Sequence, residues 1–77
     1  MKTTTMFIKL QSIDKVKHFV NDVAKMQGDF DLTAGRYVIN AKSIMGIFSL
    51  DLSKPLQLKI LGAKEEDIEK LKKYYEI

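Results

Sequence analysis

The 77-residue chain contains no cysteine, a single histidine (His18) and a single proline (Pro55). Without cysteine, neither a disulfide framework nor a thiolate metal site can form, and the composition fits a reducing compartment. His18 has no second histidine and no clustered acids to share a metal ion with. We therefore expect no bound metal and no cofactor.

Long apolar segments, internal repeats, linkers and low-complexity tracts are also missing. Residues 1–10 contain three threonines and two lysines, a composition that predicts neither a signal peptide nor a membrane anchor. Apolar residues make up 45% of the chain, as in a globular domain rather than a disordered one. We expect one domain over residues 1–77, located in the cytoplasm and not at a membrane.

The charge balance is mildly basic, with a net charge of +3. The lysines are scattered, and the densest group lies beside acids in the last predicted helix. A nucleic-acid-binding protein more often clusters basic residues and aromatics on one face, so no nucleic-acid partner is expected. The chain also contains no glycine-rich phosphate loop and no nucleophile–base pair, which argues against conventional catalysis.

Hydrophobic periodicity predicts four strands and three helices in the order βαββαβα. The predicted strands cover residues 3–10, 29–34, 36–41 and 56–60, and the predicted helices cover residues 14–27, 44–50 and 64–75. The short connection at Gly35 makes the second and third strands an antiparallel hairpin. This order predicts an α+β open-faced β-sandwich, in which three helices cover one face of a four-stranded antiparallel sheet.

The first predicted helix has Ser12 as its N-cap and Gly28 just beyond its C-terminus. Its expected apolar stripe consists of Val16, Phe19, Val20, Val23 and Ala24. His18 then points to the opposite side, which favours a solvated surface residue over a functional one. In the last helix, the expected inward residues are Ile68, Leu71 and Tyr75.

Ser43 occupies an N-cap position in the segment 40–52. The apolar residues that follow it are Ile44, Met45, Ile47, Phe48 and Leu50. They present more apolar surface than so short a helix can bury on one side. We expect Ile47 and Leu50 to be buried and Met45 and Phe48 to be partly exposed.

The element order and the segment Lys-Ser-Ile-Met-Gly-Ile-Phe-Ser-Leu at residues 42–50 resemble HPr, the histidine-containing phosphocarrier of the bacterial sugar phosphotransferase system. HPr proteins carry a Lys-Ser-Ile-Met-Gly-Val-Met-Ser-Leu type of segment at this place. The resemblance covers most of the chain and implies the HPr-like fold. It implies that Ser43 is phosphorylated by an ATP-dependent HPr kinase, and a helix N-terminus tolerates phosphoserine well. It also implies that Ile44, Met45 and Phe48 bind a protein partner, such as a transcriptional regulator or a phosphotransferase component.

The resemblance fails at the start of the first helix, where HPr proteins carry the phosphoryl-accepting histidine in a Gly-Ile-His-Ala-Arg-Pro-Ala run. Aligning the helices places Ser12 at the histidine position and Asp14 at the arginine position. A phosphoryl group on serine is a stable ester that is not readily passed on, and Asp14 repels phosphate. We therefore expect no catalytic residue and a regulatory role, as in HPr-like proteins that lack the histidine and keep the serine.

Several alternatives remain open at this point. Ser43 could be only an N-cap, and the apolar residues around it only core. The chain could be a working phosphocarrier that uses His18 or a non-histidine acceptor, or a stand-alone binding domain that shares only the HPr fold. We expect a monomer or a weak homodimer, because an exposed apolar helix and a free sheet edge could both support association.

Overall fold

A computed structural model of the chain describes residues 3–74. The elements are β1 (Thr3–Ile8), α1 (Ile13–Ala24), β2 (Asp29–Ala34), β3 (Tyr37–Asn40), α2 (Ile44–Phe48), β4 (Leu56–Leu61) and α3 (Glu65–Leu71), followed by a 3₁₀ turn at Lys72–Tyr74. The βαββαβα order is the one predicted. No helix within residues 3–74 has the length and apolarity needed to cross a membrane.

The four strands form one antiparallel sheet in the order β1-β4-β2-β3. The predicted hairpin of β2 and β3 is present, with Leu32 opposite Ile39. Leu58 of β4 lies opposite Met6 on one side and Leu32 on the other. β4 is therefore an inner strand although it is the last of the four in sequence, and β1 and β3 are the edge strands.

One face of this sheet is covered by the three helices. Buried side chains there come from every helix and from β1, β2 and β4, and the fully covered ones include Ile8, Leu32, Leu58, Phe19, Ile47 and Leu71. On the opposite face, Phe7 is 55% exposed and Val38 is 66% exposed. The predicted open-faced sandwich is confirmed, since strand residues alternate between a covered face and an open one.

The ends of β1 and α1 differ from the predicted ones. β1 ends at Ile8, although Leu10 beyond it is still fully buried. α1 ends at Ala24, which is exposed, so its assignment to the apolar stripe was wrong, and Val20 is only partly buried. The Lys42 ammonium lies 3.4 Å from the carbonyl oxygen of Met26 just beyond this helix end.

Gly28 gives a reason for the early helix end. Its φ of 120° lies in the region that favours glycine, and a Cβ there would lie 2.8 Å from the carbonyl oxygen of Leu61. The chain must therefore leave the helical path before Gly28 to pass close to the end of β4. This close approach positions β2 beside β4.

The last helix also ends earlier than predicted. α3 stops at Leu71, which is buried, and Ile68 is partly buried against the core. The predicted inward residue Tyr75 lies outside the described residues. Tyr74 of the 3₁₀ turn is buried, and its ring lies edge-on to Phe19 with the ring centroids 5.3 Å apart.

Candidate functional site

The segment between β3 and α2 positions Ser43 as a helix cap. The Ser43 backbone is extended, with φ −97° and ψ 99°, and its Oγ accepts a hydrogen bond from the Gly46 N–H at 3.3 Å. The Ser43 N–H donates to the carbonyl oxygen of Asn40 at 2.9 Å, which closes the turn out of β3. The predicted N-cap is confirmed. Ser43 is also an exposed residue.

Gly46 allows α2 to lie close to β3. A Cβ at this position would be 2.6 Å from Cγ2 of Ile39, closer than real Cβ contacts come. In the next position, Ile47 points into the core and is fully buried. Gly46 and Ile47 thus form the inner side of α2, and Met45 and Phe48 are turned outward.

The outward side of α2 carries large apolar groups. Met45 is 77% exposed and Phe48 is 38% exposed, as expected from the sequence. Ile44 and Leu50 are partly buried and pack against the core, so Leu50 is less covered than predicted. We call Ser43, Met45 and Phe48 the α2 surface. Methionine and aromatic side chains adapt readily to a partner, which makes such a surface suited to protein binding.

Ile13 is an exposed apolar residue to which the sequence pattern assigned no role. It is the first residue of α1 and follows directly after Ser12. Its place three residues before Val16 predicts an inward side chain, so no local pattern marks Ile13 as exposed. α1, the helix that begins at Ile13, packs against α2.

The start of α1 is capped by Ser12, as predicted. Its Oγ accepts a hydrogen bond from the Lys15 N–H at 3.1 Å, and Asp14 lies exposed in the first turn. His18 is exposed within α1. It lies six residues after Ser12, or ~9 Å along the helix axis at 1.5 Å per residue. The fold therefore does not bring His18 to the helix start.

His18 instead borders an open depression of about 300 Å³ that is also lined by Lys15, Lys73 and Tyr74. Asp22 lies beside it and accepts hydrogen bonds from the Tyr74 hydroxyl at 2.7 Å and from the Lys73 ammonium at 3.0 Å. Within residues 3–74, no three acidic or histidine side chains are grouped so that they could hold a metal ion.

The hydrogen bonds around Asp22 shift two pKa values. Partial burial alone raises the pKa of Asp22, but the hydrogen bonds from Tyr74 and Lys73 and the nearby positive charges outweigh it and hold this pKa below its ordinary value. Burial, together with the hydrogen bond to the Asp22 carboxylate and its negative charge, raises the pKa of Tyr74 well above its ordinary value. Both shifts widen the pH range over which an ionised Asp22 accepts a hydrogen bond from a neutral Tyr74.

The chain matches no protein-family model and no curated protein sequence. Among solved structures, it is similar to HPr-C-His from Thermoanaerobacter tengcongensis, with 32% identity over 92% of this chain and 86% of that one and a TM-score of 0.66. It is also similar to the phosphocarrier protein HPr from Bacillus anthracis str. Ames, with a TM-score of 0.72 over 97% of this chain and 96% of that one. At 24% identity, the second likeness shows the fold alone. The first likeness, over nearly the whole length of an open-faced sandwich of the same element order, shows that this chain belongs to the HPr family and is a phosphocarrier-like protein.

Proposed function

We propose that this chain is a regulatory HPr-like protein, in which phosphorylation of Ser43 controls the binding of a partner protein to the α2 surface. The proposal is carried by the exposure of Ser43 at the N-cap of α2, a helix whose Met45 and Phe48 are left outside the core. A cytoplasmic location, where kinase and partner would meet this protein, is part of the proposal.

The geometry at Ser43 suits a switch. Its Oγ already accepts the Gly46 N–H, and a phosphate on that oxygen offers further acceptor atoms to the same donor. Within the described α2 residues and Ser43 there is no acid to repel the added charge. Phosphorylation would place about −1.5 to −2 charges beside an apolar docking surface, a change large enough to select between partners.

A regulatory role also agrees with the chemistry at the start of α1. Ser12 and Asp14 lie where the family resemblance places the phosphoryl-accepting histidine and its arginine. A serine phosphate ester does not pass its phosphoryl group on readily, and the exposed Asp14 carboxylate disfavours a second anion nearby. Reversible transfer of a phosphoryl group through Ser12 therefore has no support.

The first experiment is incubation of the pure protein with HPr kinase and ATP, followed by intact-mass spectrometry and fragmentation. We expect one added phosphate on Ser43, none in Ser43→Ala, and an unchanged yield in Ser12→Ala. The absence of added phosphate on the wild-type chain, or its location on another residue, would contradict the proposal.

The docking role of α2 is tested by the rate of the same reaction. We expect the double variant Met45→Ala/Phe48→Ala to lower kcat/KM for phosphorylation by about tenfold or more, since removal of apolar anchors at an interface costs ~1 kcal/mol or more per important residue. Phe7→Ala is the matched control, because Phe7 is an exposed aromatic on the open sheet face. Equal losses in the two variants would argue against docking through α2.

The alternative to a regulatory role is a phosphocarrier that uses His18. This residue is exposed and lines the depression on α1 together with Lys15 and Lys73. A phosphocarrier that used His18 would take up an acid-labile phosphate from phosphoenolpyruvate and enzyme I, and His18→Gln would abolish this label. We expect no acid-labile label on the wild-type chain. A label that depends on His18 would replace the regulatory proposal with a carrier function.

A further inference from the structure

Lys42 connects the turn before α2 to the C-terminal end of α1. The last turn of α1 contains no basic residue, and the charge of Lys25 at its C-cap acts on Asp22. The Lys42 ammonium brings a further positive charge to this helix end, where it donates a hydrogen bond to the carbonyl oxygen of Met26 at 3.4 Å. It also lies 5.7 Å from the centroid of the Phe30 ring, within the range of a cation–π contact.

The backbone of Lys42 is fixed beside Ser43. The Lys42 N–H donates to Oδ1 of Asn40 at 2.8 Å, and the Ser43 N–H donates to the Asn40 carbonyl oxygen at 2.9 Å. The main chain of both residues is thus held around one asparagine, so a response to a new charge falls to the Lys42 side chain. Within residues 40–50, Lys42 carries the only charged side chain.

We propose that phosphorylation of Ser43 withdraws the Lys42 ammonium from the end of α1 and pairs it with the phosphate. This inference rests on the proposed function, because it adds a consequence to the same modification. Neighbouring Cα atoms are ~3.8 Å apart, and lysine carries its charge on a flexible four-carbon stem. The ammonium can therefore reach a phosphate on the next residue.

The phosphate is the stronger of the two acceptors. The hydrogen bond to the Met26 carbonyl oxygen is longer than the usual ~2.7–3.2 Å, and this acceptor carries no net charge. A phosphoserine carries about −1.5 to −2 charges at pH 7, so it attracts the ammonium directly. Lys42 and Ser43 are both exposed, so salt should weaken the new pair.

The withdrawal of Lys42 should loosen the end of α1. The hydrogen bonds concerned run from the Lys25 N–H to the Asp22 carbonyl oxygen at 3.3 Å and from the Met26 N–H to the Val23 carbonyl oxygen at 3.1 Å. A favourable charge at a helix end changes an opening equilibrium by about two- to fivefold. Phosphorylation would then change the protein at two places, the α2 surface and the turn that follows α1.

The test is hydrogen exchange by NMR on synthetic chains with serine or phosphoserine at position 43 and ¹⁵N at Lys25 and Met26. We expect these two N–H groups to exchange about two- to fivefold faster in the phosphorylated chain. Lys42→Met, which keeps an apolar stem without the charge, should show the same increase without phosphate. Synthesis needs no kinase, so a chain that HPr kinase leaves unmodified contradicts the proposed function without deciding this test.

The phosphorylated Lys42→Met chain separates the two routes by which a phosphate could act. It should show no further increase, because the contact that the phosphate breaks is already missing. Lys59→Met is the matched control, since Lys59 borders the same surface depression as Lys42 from β4, and phosphate should act on this variant as on the wild type. Unchanged exchange in the phosphorylated wild type overturns the proposal. A full further increase in phosphorylated Lys42→Met also overturns it, because the phosphate would then act without Lys42.

Discussion

Replacement of Tyr74 by phenylalanine tests whether the end of the chain is held to α1 by a specific hydrogen bond. The variant keeps the ring against Phe19 and removes only the hydroxyl that donates to Asp22 at 2.7 Å. A hydrogen bond to an ionised acceptor contributes ~1.5–3 kcal/mol. Asp22 keeps Lys73 as a partner and is reached by water, so we expect a loss at or below the lower end of this range, about 1–1.5 kcal/mol.

Urea unfolding measures this loss. With an m-value of ~1 kcal/mol/M for a small domain, the midpoint should fall by roughly 1 M, and the thermal midpoint by about 4–12 °C. Tyr37→Phe is the matched control, because the Tyr37 ring is exposed on β3, and its stability should change by less than ~0.5 kcal/mol. In a double-mutant cycle with Asp22→Asn, we expect a coupling of about 1 kcal/mol.

The same hydrogen bond predicts a pH dependence with two limbs. The pKa of Asp22 is lowered in the folded state, so its contribution is present above the unfolded value of ~3.9 and is lost as the pH falls through the folded value. The pKa of Tyr74 is raised, so its contribution is present below ~10 and is lost as the pH rises beyond it. Tyr74→Phe should remove the alkaline limb and reduce the acid one. A variant with wild-type stability at pH ~7, or with an unchanged alkaline limb, would refute this reasoning.

Three further comparisons by urea unfolding test the glycine positions and the Ser43 cap. Gly46→Ala should cost about 1–3 kcal/mol, because its Cβ would collide with Ile39, and wild-type stability would mean that α2 moves away from β3 freely. Gly35→Ala should lower the free energy of unfolding by only the ~1–2 kcal/mol that a left-handed residue costs, because Gly35 faces open space. Gly28→Ala should lower it by more, because a Cβ there would meet backbone atoms. The reverse order of the two losses would contradict this reasoning. Ser43→Ala should cost about 1 kcal/mol as a lost cap and Ser43→Asp much less, whereas equal losses would mean that the cap contributes little.

Much of the fold follows from local sequence patterns. Alternating and helical periodicities located the elements, and the capping roles of Ser12 and Ser43 could be assigned from residue type and position. The exposure of Met45 and Phe48 was also predictable, because a helix of five residues cannot bury apolar groups on all sides. These features depend on the nearest few residues, which is why the sequence alone is informative there.

The missed features depend on residues distant in sequence. Tyr74 is buried because it reaches Asp22, 52 positions earlier, and no local pattern distinguishes it from its neighbours. The end of α1 depends on the passage of Gly28 close to the backbone of β4. Ile13 is 63% exposed, although the hydrophobic pattern alone would have placed it with Val16. Long-range packing decides each of these cases.

The position of β4 between β1 and β2 has a consequence for how this protein is made. During synthesis the β2–β3 hairpin can form as soon as it leaves the ribosome, but β1 has no neighbour in the sheet until residues 56–61 appear. Closing the long loop from β1 to β4 is entropically costly and has to precede its pairing, which slows folding. Any fragment that stops before β4 leaves β1 and one side of β2 unpaired, so nascent or truncated chains expose strand edges that the finished domain pairs with β4.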